Sequence, residues 1–327
     1  MEEILNKINA AYGICVSISE KVDKGFLSEN YVISSGTQKF FLKKYRFDDS
    51  KRIREIHASK KYFADGGIPV ILPIPLLTGE TFFEFSNAYY AVFPFVNGRH
   101  IERGALTKSA IVSMGEMLGQ IHLLGKNSQL VIDDHFKIED KEKTFKKIED
   151  ILIQIEAKDP LDAFDKAALE SVYMKKDLLL ANTLRFESFN LQCDHLVHGD
   201  YLDHNVFFDQ HDAVQYVFDF EKTNYSPRTY ELFRSMIYGL LTAEVTETDL
   251  ENAKTYLKAY SSVYPISKDE IKRGVQLFFV KAIHGFWVES EHYVKENTRV
   301  DGFLFDDQKR IEYLSENLDI FVDFLNS

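Results

Sequence analysis

The stretch His198-Gly199-Asp200-Tyr201-Leu202-Asp203-His204-Asn205, followed shortly by Asp219-Phe220-Glu221, sets carboxylates, an amide and histidines on what reads as strand–loop–strand. Asp200 and Asn205 bracket a short loop, and Asp219 ends the apolar run Val214-Gln215-Tyr216-Val217-Phe218. Phosphoryl transfer uses this inventory. One carboxylate orients the attacking hydroxyl, while an amide and a second carboxylate hold the magnesium ions that bridge the nucleotide phosphates. Magnesium is a hard cation and prefers such oxygen ligands. Far upstream, Lys43 lies on Lys39-Phe40-Phe41-Leu42-Lys43-Lys44-Tyr45, where alternation puts it on the opposite face from Leu42 and Lys44. A lysine on such a strand can reach the α- and β-phosphates. Taken alone it reads as an ordinary exposed strand residue. Backbone N–H groups of the turn Lys24-Gly25-Phe26-Leu27-Ser28-Glu29-Asn30 can line a phosphate, and an ordinary hairpin loop is an equal reading.

A loop Asp, an Asn a few residues on, then a metal-binding Asp-Phe: this order resembles the kinase signature. The first motif is His-Gly-Asp rather than His-Arg-Asp, and the second ends in Glu221 rather than Gly. In both departures the chain resembles the aminoglycoside phosphotransferase/choline kinase superfamily, whose members phosphorylate small molecules. The resemblance implies Asp200 as the catalytic carboxylate, Asn205 and Asp219 as the magnesium ligands, and His198 as a brace for the loop. It implies Lys43 as the nucleotide lysine, with Glu55 on the following helix pairing with its ammonium. Gly25 and Ser28 correspond to the family's loose phosphate loop, and Phe93, Phe95 and Val96 to the hinge that takes the adenine. His122, in Leu118-Gly119-Gln120-Ile121-His122, reads as structural. Glu231, in Pro227-Arg228-Thr229-Tyr230-Glu231-Leu232, is expected to support the catalytic loop from a helix start, where carboxylates are favoured.

The elements that must carry these residues fall into two groups. Residues 2–12 read as a short helix, and 14–18, 30–34, 39–45, 71–77 and 89–95 as strands, with a helix over 48–64 stopped by Asp65-Gly66-Gly67. From Asn97-Gly98 onward the pattern is helical. Thr107 caps a helix that Gly125 stops, and 139–157 and 160–187 follow. After the motif strands, 228 to the end is helical with breaks at Tyr264-Pro265 and Asp301-Gly302. The expected fold is α+β and bilobal, of the protein-kinase-like type. A small antiparallel-sheet N-lobe with one crossing helix (1–97) binds nucleotide, and a larger, mainly helical C-lobe (98–327) carries the catalytic loop and acceptor site.

At 327 residues, 45% of them hydrophobic, the chain can build two lobes around a cleft. No apolar run suits a membrane span, and Met1-Glu2-Glu3 does not open like a signal peptide. Cys15 and Cys193 form no disulfide framework or metal spacing and are expected to be buried; a reducing cytoplasm fits. Residues 1–100 carry 13 Lys+Arg against 11 Asp+Glu, while 101–327 carry 26 against 40, a local charge of −14. That balance argues against nucleic-acid partners. It reads either as a solubilising surface or as attraction for a cationic substrate. Trp287, followed by Glu289 and Glu291, suits an ammonium group, and equally suits the core of an apolar helix. The expected activity is transfer of the γ-phosphoryl group of ATP, with Mg2+, to a hydroxyl of a small polar molecule, an amine-bearing one at the boldest. The alternative is a nucleotide-binding pseudokinase with a structural role, against which the intact set Lys43, Glu55, Asp200, Asn205 and Asp219 counts.

Overall fold

The computed structural model describes residues 2–22, 29–189 and 192–327. Helix α1 (Glu2–Tyr12) leads into strands β1 (Ser17–Val22), β2 (Asn30–Ser35) and β3 (Gln38–Lys44). Helix α2 (Ser50–Asp65) crosses before β4 (Phe83–Phe85) and β5 (Ala88–Pro94). The strands form one antiparallel sheet in the order β1-β2-β3-β5-β4. Period-two alternation sorts its two faces. Ile33, Phe40, Leu42 and Val92 pack with Ile4 and Ile8 of α1. Tyr45, Ala91 and Phe93 pack with Ile53 of α2. Lys43 belongs to the second face. α2 begins where Asp49 accepts hydrogen bonds from the N–H groups of Lys51 and Arg52, satisfying two of the helix's free donors.

The expected strand over 71–77 does not form. Pro73 and Pro75 lack the N–H groups a ladder needs. The segment instead hangs between neighbours, with Ile74 N–H donating to Val92 O (2.8 Å) and Leu77 N–H to Ala11 O (2.9 Å). The first strand is also shifted, starting at Ser17 and not at 14.

The rest is mainly helical: α3 (Lys108–Gly125), α4 (Lys141–Glu156), α5 (Ala163–Ala181), α6 (Arg228–Leu240), α7 (Glu247–Val263), α8 (Lys268–Ile283), α9 (Trp287–Lys295) and α10 (Phe303–Asn326). Thr107 caps α3 as expected. The helical reading of 160–187 was too long at both ends. Asp162 and Asp165 make a capping box that starts α5, and 182–185 break it. Helix breaks at 241–246 and 284–286 were not anticipated; the first ends in a Thr246/Asp249 capping box. Two short ribbons interrupt the helices, β6 (His195–Val197) with β9 (Asn224–Ser226), and β7 (Val206–Phe208) with β8 (Val214–Val217). The fold is thus α+β, a five-stranded sheet beside a helical body with its own large core. Among the described residues no helix is long and apolar enough to cross a membrane. Cys15 and Cys193 are free and exposed, contrary to the buried positions expected for them.

Candidate active site

The loop 198–205 runs from β6 to β7, and Asp219 follows β8, so the two ribbons bring the carboxylates of both motifs to one place. Gly199 has φ +85°, and a Cβ there would stand 1.9 Å from Lys222 O. Only glycine lets the two motif loops touch at this point, which gives a physical reason for His-Gly-Asp. Gly98 plays a similar part at the other edge. A Cβ on it would overlap the Phe207 ring, which packs tilted against Phe218 with ring centroids 4.6 Å apart.

The catalytic loop is clasped from behind. Glu231, in the first turn of α6, is fully buried and accepts from His198 N–H (3.1 Å), Tyr201 N–H (3.4 Å) and His122 Nε2 (3.0 Å). His122 in turn accepts from Tyr260 Oη (2.9 Å), which accepts from Arg228 (3.3 Å). Burial works against the Glu231 charge, but the His122 hydrogen bond and the loop N–H groups outweigh it and hold its carboxyl below its ordinary value. His198 donates from Nε2 to Phe218 O (2.8 Å) and accepts at Nδ1 from Asp200 N–H (3.2 Å), so its partners fix a neutral tautomer. Burial holds it neutral by pushing its pKa down. Both structural expectations, for His122 and for Glu231, match these contacts.

Asp200 lies between two cations. Arg234 of α6 touches Oδ1 at 2.6 Å and Lys222 touches Oδ2 at 2.8 Å. Burial would raise the Asp200 pKa, but Arg234 and then Lys222 outweigh it, and the carboxyl stays ionised far below the usual range. Asn205 donates from Nδ2 to Asp200 O (2.8 Å), which leaves its Oδ1 without a protein partner among the described residues. Asp219 sits in the left-handed region (φ 63°, ψ 60°), a conformation that costs a non-glycine residue about 1–3 kcal/mol. It accepts from Lys43 through Oδ1 (2.8 Å), and its Oδ2 has no protein partner among the described residues.

Lys43 points into this cluster, whereas Lys44, on the opposite face, pairs with Glu29 at 2.9 Å. The expected Lys43–Glu55 pair is not made. Lys43 contacts Asp219 (2.8 Å) and Glu221 (2.7 Å). Glu55 instead faces Arg52 (3.3 Å) and accepts from Asp133 N–H (3.3 Å). Position 55 is one helical turn from Arg52, so the local i,i+3 partner wins over the strand lysine. Burial would neutralise Lys43; Asp219 and Glu221 outweigh it and raise its pKa. Arg46 holds the other Glu221 oxygen (3.2 Å), and Arg52 clasps the loop by donating to Glu221 O (2.9 Å) and Thr223 O (2.6 Å). Lys60 of α2 is close enough to Lys43 to feel its charge. It is buried over the Phe93 ring (4.4 Å) and donates to Ile71 O (3.1 Å). Burial, with Lys43 nearby, pushes its pKa down to about 7.

Phe93 lies on the Lys43 face of β5 and Val96 is half-buried beyond it. Phe95 is exposed and lines a shallow cavity with Lys39, Phe40, Ile74 and Pro94, where Phe40 and Ile74 belong to the α1-side cluster. It therefore does not join Phe93, because the strand and its alternation end at Pro94. Gly25 and Ser28 lie outside the described residues. Trp287 is exposed and packs on Phe303 (5.6 Å). Glu289 is not available to an ammonium ligand as expected: it is buried, paired with Lys175 (3.1 Å) and accepts from Ser171 (3.0 Å). Sequence reasoning missed Glu221 as the lysine's partner, and missed Arg46, Arg52, Lys222 and Arg234 altogether.

Set beside known proteins, the model of the phosphotransferase enzyme family matches residues 19–266. A search of curated proteins returned no match. Among solved structures the chain is similar to an amicoumacin kinase in complex with AMP-PNP, Ca2+ and Ami, at 15% identity and TM-score 0.60, covering 92% of this chain and 93% of that one. It is similar to a microcompartment-associated aminopropanol kinase at 13% identity and TM-score 0.64, covering 97% and 98%. It is also similar to choline kinase from Cryptosporidium parvum Iowa II at 14% identity and TM-score 0.62, covering 99% and 98%. At these identities the structural likeness speaks for the fold. The family model spans more than half of the chain, and the chain belongs to the phosphotransferase enzyme family.

Proposed function

We propose that this chain transfers the γ-phosphoryl group of ATP to a hydroxyl of a small polar molecule, with residues 1–97 as the nucleotide lobe and 98–327 carrying the catalytic loop and acceptor site. The observation that carries the reading is the convergence of Lys43, Asp219, Asn205 and Asp200 from three separate segments, β3, the loop 198–205 and the turn after β8. Lys43 would bind nucleotide phosphates. Asn205 Oδ1 and Asp219 Oδ2, both without a protein partner among the described residues, are oxygen donors that suit Mg2+. Among the described residues no group of three or more His, Cys, Asp or Glu could hold a metal without help. Two protein ligands completed by phosphates and water are the usual provision for this ion. Bound there, Mg2+ would neutralise phosphate charge. The packed Phe207 and Phe218 rings, with Phe93 and Val96, offer apolar surface for the adenine.

Asp200 orients the acceptor hydroxyl. Its low basicity suits a role in which the proton moves late, as expected where phosphoryl transfer is largely dissociative. The new O–P bond forms as the bond to the β-phosphate oxygen breaks, ADP leaves, and the acceptor proton passes to Asp200. The amine-bearing acceptor now rests on the acidity of the C-terminal half, and on neighbours named for aminopropanol and choline, since Glu289 is spent on Lys175. The test is ADP release measured with a panel of amine, neutral and anionic hydroxyl compounds, in wild type and Asp200→Asn. Turnover should fall roughly 10²–10⁴-fold in the variant, the scale for a positioned acid–base group. Equal turnover in the two proteins would refute the assignment of Asp200, and a neutral or anionic best substrate would refute the amine.

A further inference from the structure

Both oxygens of Asp200 are occupied by side chains, and the two partners differ in kind. Arg234 is fixed: its guanidinium is buried, rides over the Tyr238 ring at 5.4 Å, and springs from α6, which also carries Glu231. Lys222 is not. Its side chain is 48% exposed, against 16% for the Asp200 side chain it covers. Its backbone, by contrast, is held. Lys222 O accepts from Asn224 Nδ2 (2.7 Å) and lies against Gly199, where any side chain at 199 would push it away. The loop is thus pinned so that a flexible ammonium reaches Oδ2, the one oxygen of the base that a nucleophile could still approach.

From this we propose that Lys222 is a removable cap on Asp200, which withholds the base from water until a bound acceptor displaces it. The inference rests on the kinase reading above. Water attacking the γ-phosphorus would break the same bond to the β-phosphate oxygen, release ADP and phosphate, and need Asp200 to take its proton. A lone water has no further contacts with which to dislodge an ammonium. An acceptor does, because the rest of the molecule is held by the cleft and that binding can be used to open the ion pair. The cap would spare ATP when no acceptor is present. Positions 222 and 199 act together in this device: glycine sets the backbone approach and lysine supplies the charge.

The measurement is phosphate release from magnesium-ATP without any acceptor, so it needs no knowledge of the substrate. Lys222→Met should hydrolyse ATP roughly fivefold faster than wild type, the factor that about 1 kcal/mol of competition from a partly exposed ion pair converts to. Lys222→Arg, which keeps the charge, should stay at the wild-type rate. In Asp200→Asn/Lys222→Met the rise should vanish. Hydrolysis by Lys222→Met at or below the wild-type rate, with ATP bound normally by calorimetry, overturns the cap. So does a rise that persists without Asp200. Failure of the wild-type chain to bind ATP is a different result: it sinks the kinase reading, and the cap with it.

Discussion

The two halves of the candidate site are held by different physics. The loop 198–205 hangs on a buried chain running from the Arg228 guanidinium through Tyr260 and His122 to the Glu231 carboxylate, with every member satisfied by a partner. The nucleotide side is held by ion pairs that cross between the sheet and the ribbons: Lys43 and Arg46 on Glu221, Lys43 on Asp219, and Arg52 on two carbonyls. A buried network of that kind is costly to break and defines one conformation. These ion pairs are largely screened from water, with Lys43 13% and Glu221 9% exposed, but the Asp219 side chain is 41% exposed and its contact with Lys43 can be exchanged for ligand contacts. On the proposed reading the base would be prebuilt, and the phosphate side would be rebuilt when nucleotide arrives.

Glu231→Ala is the sharpest way to break this contrast. It strips partners from two backbone N–H groups and from His122, and should destabilise the fold by about 3–5 kcal/mol, as loss of one member of a buried charged network does. Denaturant unfolding would read it; a loss under 1 kcal/mol would mean that the clasp is ornamental. Glu221→Gln keeps the shape and removes a charge from the exchangeable half. Glu221 is 9% exposed and shares Lys43 with Asp219, so the loss should be about 1–3 kcal/mol, below that of Glu231→Ala, while the KM for ATP shifts more than the acceptor's. Equal shifts in both constants would undo the division into halves.

Acid should find the buried histidines of both halves, His57 of α2 among them. Burial leads the downward shifts at His57 (to about 3), His195 (to about 4), His122 and His198. An unfolded chain binds these protons near pH 6.5. The folded chain binds fewer protons below that value, so stability is full above pH 6.5 and is lost as pH falls toward the folded values. Thermal melts between pH 7 and 4.5 should fall steadily, and His57→Gln should flatten part of the slope. Melts independent of pH over that window would contradict neutral burial of the four rings. The smallest effect belongs to Trp287→Ala. With Glu289 tied to Lys175 beside it, the acceptor KM should stay within about twofold, the scale of a surface change of 0.5 kcal/mol or less. A tenfold rise would restore the indole as a ligand wall.

What could be read in the sequence follows the range of the interaction. Alternation along β3 separates Lys43 from Lys44 because facing is a local property with period two. Capping at Thr107 was legible for the same reason, as was the acidic helix start at Glu231. The Lys43 partner was not. Glu55 lies a dozen residues away and Glu221 lies 178 away, and only the tertiary fold decides that the distant carboxylate meets the ammonium. The cations on Asp200 were hidden likewise, since Lys222 and Arg234 look like ordinary surface charges until the ribbons and α6 converge. The strand over 71–77 failed for a nearer reason: two prolines outweighed its hydrophobic run.

Cys15 and Cys193 are the chain's two thiols, and both are exposed. One follows α1 beside the sheet, and the other precedes β6 in the helical body. The molecule thus carries two attachment points for dyes, one beside the sheet and one in the helical body, with no engineering needed. A donor and acceptor fluorophore on this pair would turn the approach of the two halves into a light signal. Adding nucleotide alone, and then nucleotide with each hydroxyl compound, would show in real time which molecule draws the halves together.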